Sequence, residues 1–106
     1  MNKSILFFSL FFLLGVQGQA NEAPSLSLGK TLFESTQLGT KGKSCQTCHS
    51  KGKGLDMIGD FNDEELKEII NACLRDALGG KLISIESQEM VALHAYVRKF
   101  QKNRNQ

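Results

Sequence analysis

The run Cys45-Gln46-Thr47-Cys48-His49 constrains this chain more than any other feature, because its C-x-x-C-H spacing fits covalent attachment of a haem. Two thiols three positions apart project from one helical turn, so each can add to one vinyl group of the macrocycle. The histidine that follows is carried beneath the iron, where its imidazole can serve as the proximal ligand. Two other chemistries use the C-x-x-C spacing. A thioredoxin-like redox pair wants βαβ patterning around it, and a structural zinc site wants a second pair of Cys or His ligands. The chain offers neither, since its remaining cysteine is Cys73 and its remaining histidine is His94. Haem attachment at Cys45, Cys48 and His49 is the reading these residues favour.

The N-terminus points the same way. Lys3 is a short basic n-region, Ile5 to Val16 is an apolar stretch interrupted by Ser9 and Gly15, and Gly18-Gln19-Ala20 puts small residues at the −3 and −1 positions of a cleavage site. The pattern predicts a signal peptide over 1–20, cleaved after Ala20. An uncleaved anchor is the alternative, but a membrane-spanning helix needs about 20 apolar residues and this run is shorter. Export agrees with the motif, because thioether formation in bacteria takes place on the outer side of the cell membrane. A periplasmic or secreted protein is expected, not membrane-spanning once processed.

Residues 21–106 then form one small domain. A chain of that size buries a limited core unaided, so much of the core is expected around the cofactor. With Lys3 removed, 12 Lys and Arg face 11 Asp and Glu, which is no nucleic-acid footprint.

The periodicity predicts an all-α fold of about three main helices. The first starts near Ser27 as N-cap and carries Leu28, Leu32 and Phe33 inward. Glycine-rich basic loops, Leu38 to Lys43 and Ser50 to Gly54, flank the haem motif. The second helix opens at Asn62 with Glu65 three residues on, close to a capping box, and Asp63 and Glu64 suit the positive end of its dipole. Its apolar stripe is Leu66, Ile69, Ile70, Cys73 and Ala77, and Gly79-Gly80 ends it. The last helix opens at Ser87, carries Met90, Leu93, Val97 and Phe100 along one face, and finishes with Arg98, Lys99 and Lys102 at its negative end.

With these residues in view, the chain resembles a class I-type cytochrome c domain, in which Gly29 and Phe33 on the first helix and Tyr96 on the last look like the crossing helix pair framing that fold. Leu28-Gly29-Lys30 through Phe33, Leu38-Gly39 and Gly42-Lys43-Ser44-Cys45 resemble the lead-in to the haem motif in bacterial respiratory cytochromes. Ile70-Asn71-Ala72-Cys73, Leu78-Gly79-Gly80-Lys81-Leu82, Ser87-Gln88-Glu89-Met90 and Ala92-Leu93-His94-Ala95-Tyr96 are similar to the haem domains of thiosulfate dehydrogenases and sulfur-oxidation cytochromes. The resemblance implies one haem c, held by Cys45, Cys48 and His49, with Cys73 as distal iron ligand. Those sulfur-compound proteins usually carry two haem domains; this chain has one motif.

The residues themselves leave the distal position open. Cys73 is a third thiol in an oxidising compartment, on an apolar stripe that aims it inward, although such a cysteine also packs as a small hydrophobe. Met90 and Met57 are the thioether alternatives, His94 and Asn71 further ones, and a five-coordinate iron the last. Lys41, Lys43, Lys51 and Lys53 flank the motif and either steer an acidic redox partner or are ordinary solvated loop charge. The acidic residues Asp60, Asp63, Glu64, Glu65 and Glu68 are better explained by helix capping than by a metal site. The function expected is a carrier of single electrons rather than an enzyme. The alternative is a Cys-ligated haem subunit or sensor for sulfur compounds or small gases.

Overall fold

Four side-chain caps set where the helices begin. Ser25, Ser44, Asn62 and Ser87 each accept a hydrogen bond from a backbone N–H three residues ahead, satisfying a donor that has no partner inside its helix. A computed structural model describes residues 25–102, and every regular element among them is helical. The α-helices are α1 (Leu26–Glu34), α2 (Cys45–Cys48), α3 (Asp63–Asp76) and α4 (Gln88–Arg98), with 3₁₀ turns at Ser50–Gly52 and Ile58–Asp60. The fold is all-α. The signal segment expected over 1–20 lies outside the described residues.

The first boundary differs from expectation. Ser25, not Ser27, caps α1, its hydroxyl accepting from the Leu28 N–H at 3.0 Å. The other starts follow the sequence pattern. Asn62 and Glu65 exchange hydrogen bonds of 2.9 Å in a full capping box, and the Ser87 hydroxyl accepts from the Met90 N–H. Helix α3 stops at Asp76. Gly79 then takes a left-handed conformation that a side chain would strain, and the Gly80 N–H donates to the Leu74 carbonyl.

Helices α1 and α4 cross where Gly29 meets Ala92 and Tyr96, so closely that a Cβ at Gly29 would run into the Ala92 carbonyl. The aromatic rings of Phe33, Tyr96 and Phe100 close this crossing, their centroids 5.2 to 5.7 Å apart in tilted and edge-on arrangements. Helix α3 lays Leu66, Ile70 and Leu74 into the same core, against the buried Met90, Leu93 and Val97 of α4. The inward row of α3 is therefore 66-70-74, which includes Leu74 where the sequence suggested Ile69, Cys73 and Ala77. Those three residues are exposed, because the row 69-73 lies one step round the helix from the face that meets α4.

Long-range polar contacts tie the loops down. The Thr40 and Lys41 N–H groups both reach the Leu78 carbonyl, joining the segment before the C-x-x-C-H run to the turn that follows α3. At the other end of the domain, Arg98 donates to the carbonyls of Ile58 and Phe61, to Asp63 and to Gln101. Gly52 lies against the Phe100 ring, and the Lys102 N–H reaches the Asp56 carbonyl. The segment after His49 is thus clasped by the end of α4.

Candidate functional site

Helix α2 is a single turn, too short to hold itself together, and its start is reinforced locally. Ser44, the one buried polar side chain of the described core, accepts from the Thr47 N–H, while the Thr47 hydroxyl accepts from the Ser44 N–H at 2.9 Å. This box fixes the turn that carries both thiols. The sequence reading passed over Ser44, although its Ser-x-x-Thr spacing was a usable signal.

His49 caps the turn. Its Nδ1 lies 2.8 Å from the Lys53 carbonyl oxygen, a contact in which the ring N–H donates and leaves Nε2 without a partner among the described residues. The arrangement depends on the loop 50–54, where Lys51, Gly52 and Gly54 all take positive φ and bring the chain back under the ring. A histidine whose second nitrogen is fixed by a carbonyl is the usual form of a metal-bound imidazole.

Cys45 and His49 open onto a narrow apolar cleft of about 70 Å³, whose wall also includes Leu55, Ile58, Ile69 and Cys73. Its polar lining is confined to the motif and Cys73. Burial, then the neighbouring Cys73, pushes the Cys45 thiol up to about 11. Cys73 is exposed as a residue, yet burial of its thiol at the cleft wall raises its pKa too, with Asp76 and Cys48 adding to the effect. Cys48 is exposed and does not line the cleft. The three thiols therefore lie within electrostatic reach of one another, although no group of three His, Cys, Asp or Glu among the described residues is arranged to hold a metal ion.

The other residues the sequence offers as iron ligands lie away from this cleft. Met90 is fully buried in the helical core, and Met57 is 67 % exposed; neither lines the cleft. The Asn71 amide is engaged with the backbone of Ile83 on both sides. His94 faces Asp63, 3.2 Å from Nε2 but out of line for a hydrogen bond, and burial lowers its pKa.

The flanking charges divide. Lys41 donates to the Asp76 carbonyl at 2.9 Å and so serves the end of α3, whereas Lys43, Lys51 and Lys53 are exposed. Asp63, Glu64 and Glu65 occupy the first turn of α3 as expected of capping charges, and Asp63 also pairs with Arg98. Glu68 lies beyond that turn. Among the described residues, no helix is long and apolar enough to cross a membrane.

Compared with known families, with curated proteins and with solved structures, the chain matches none.

Proposed function

We propose that this chain is an exported, single-haem cytochrome c of class I type that carries single electrons between redox partners. One observation carries the reading: the imidazole of His49, held at Nδ1 by the Lys53 carbonyl, shares an apolar cleft with the Cys45 thiol of the same C-x-x-C-H turn. These residues fit a covalently attached haem. Cys45 and Cys48 would form the thioethers, and the free Nε2 of His49 would face the iron. The haem, when bound, supplies an iron that cycles between ferrous and ferric states. The chain's own part is to orient the imidazole and to surround the group with Phe33, Leu66, Leu93 and Val97, which exclude water.

Cys73 is the proposed distal ligand, since among the described sulfur donors outside the motif it alone lines the cleft. The same residue favours a second reading, a haem subunit or sensor for sulfur compounds or small gases, because an anionic thiolate favours ferric iron and a low potential. A partner subunit would then be needed for any turnover of thiosulfate.

Haem should remain with the purified protein through acid-acetone extraction, and the protein should show a reversible one-electron wave. Loss of the colour to the solvent sinks the proposal. Electron paramagnetic resonance of the ferric protein tests the distal assignment: a low-spin signal of thiolate-histidine character is expected, converting to high-spin or water-ligated iron in Cys73→Ala. An unchanged spectrum removes Cys73 as a ligand. Thiosulfate turnover with an added acceptor, alone and with cell extract, separates the second reading from the first.

A further inference from the structure

The cleft is bordered on one side by a surface that the proposed chemistry leaves unexplained. The outer face of α3 and the residue before its cap form a shallow groove of about 350 Å³, lined by Phe61, Glu65, Glu68, Ile69 and Ala72. Its floor is apolar and open: Phe61 is 41 % exposed and Ile69 38 %. Ile69 lines both groove and cleft, so the two adjoin at that side chain. The charge beside this floor is of one sign. Glu65 and Glu68 line the groove, Glu64 lies next to them in sequence, and Glu68 has no partner among the described residues. The nearby cations are turned elsewhere. Arg75 is paired with Asp76 at 2.7 Å, and Lys67 acts on Asp63 and His94 on the side towards α4.

An apolar centre with a charged rim is the general form of a protein contact in which charge steers the encounter and apolar area holds it. We infer that Phe61 together with the α3 face from Glu65 to Ala72 is the docking surface for a redox protein whose own contact face is basic. The inference rests on the haem reading and deepens it, by naming the side on which electrons enter or leave. It differs from a route over Lys43, Lys51 and Lys53, none of which lines the cleft or the groove.

The test uses the full haem-loaded protein and small redox-inert ions as charge probes. Hexaamminechromium(III), a paramagnetic trication, should broaden the amide signals of residues 61–72 in the ferrous protein, and hexacyanochromate(III) should not. The double variant Glu65→Gln, Glu68→Gln should abolish the broadening, and it keeps the helix start because glutamine also closes a capping box. Oxidation by the cation tris(phenanthroline)cobalt(III) should slow with added salt and fall by about tenfold in that variant. Broadening by the anion at 61–72, or an oxidation rate indifferent to the charge at 65 and 68, overturns the inference. A chain that loses its haem to acid-acetone fails the functional proposal; one that keeps its haem but shows either of these outcomes fails only the docking assignment.

Discussion

Asn71 and Ile83 are joined by two hydrogen bonds of 2.8 Å, the Asn71 Nδ2 donating to the Ile83 carbonyl and the Ile83 N–H donating to Oδ1. One side chain on α3 thereby stands in for a strand partner and holds the loop before α4 in place. Asn71→Ala leaves two half-buried backbone groups to water or to nothing. It should cost about 2 kcal/mol in urea unfolding, at about 1 kcal/mol per lost bond. Asn71→Asp keeps the acceptor but sets a carboxylate oxygen against the Ile83 carbonyl, so at neutral pH it should be at least as damaging as alanine.

Arg98 makes a comparable clasp at the opposite end, reaching two carbonyls at 2.8 and 2.9 Å and the Asp63 carboxylate at 2.9 Å. A lysine has no planar fork with which to serve these acceptors together. Arg98→Lys should therefore be nearly as damaging as Arg98→Met, and both should speed amide hydrogen exchange selectively over residues 58–62. Uniform exchange across the domain would count against the clasp.

Gly29 offers a test of sign. On an open helix face, replacing glycine by alanine gains about 1 kcal/mol of helix stability. Here the added methyl meets the Ala92 carbonyl and the Tyr96 Cβ, which are backbone and near-backbone atoms that cannot swing aside. Gly29→Ala should instead cost about 1–3 kcal/mol, the usual range for overpacking, measured as a fall in the denaturation midpoint.

The pH dependence should carry a mark of His94. Burial holds its pKa below the ordinary 6.5, against the pull of Asp63; Arg98 and Lys67 also face it and lower it further. The folded protein thus prefers the neutral ring, so this group's contribution is intact above about pH 6.5 and is lost as the pH falls through the lowered folded value. Asp63, lowered chiefly by its hydrogen bond to Arg98, adds a separate loss on the acid side of 3.8. Urea midpoints taken from pH 7.5 to 5 should fall in the wild type and fall less in His94→Gln. Equal slopes would remove His94 as the cause.

What the sequence revealed of this fold was what is local. The caps at Asn62 and Ser87 are written within four residues, and both were legible. Ser25 and Ser27 satisfy the same local rule, and the choice between them depends on how α1 meets the rest of the chain. The clasps of Asn71 and Arg98 span 12 and up to 40 residues and leave no pattern in either neighbourhood. For the candidate site, the motif named Cys45, Cys48 and His49, but nothing near His49 in sequence marks the Lys53 carbonyl as its anchor. Cys73 and Met90 both sit on apolar stripes, and only the packing of α3 on α4 separates the one that borders the cleft from the one sealed in the core.

The clasp by the end of α4 also carries a consequence for the order in which the site can assemble. On the export route proposed above the chain crosses the membrane unfolded and from its N-terminal part, so Cys45, Cys48 and His49 appear well before Arg98, Phe100 and Lys102. Until those last residues arrive, the segment from Gly52 to Phe61 lacks the contacts that hold it, and with it the wall formed by Leu55 and Ile58. The reactive turn is thus available early while its enclosure is completed late. That gives a bulky group an interval in which to enter from the side, before the finished domain shuts around it.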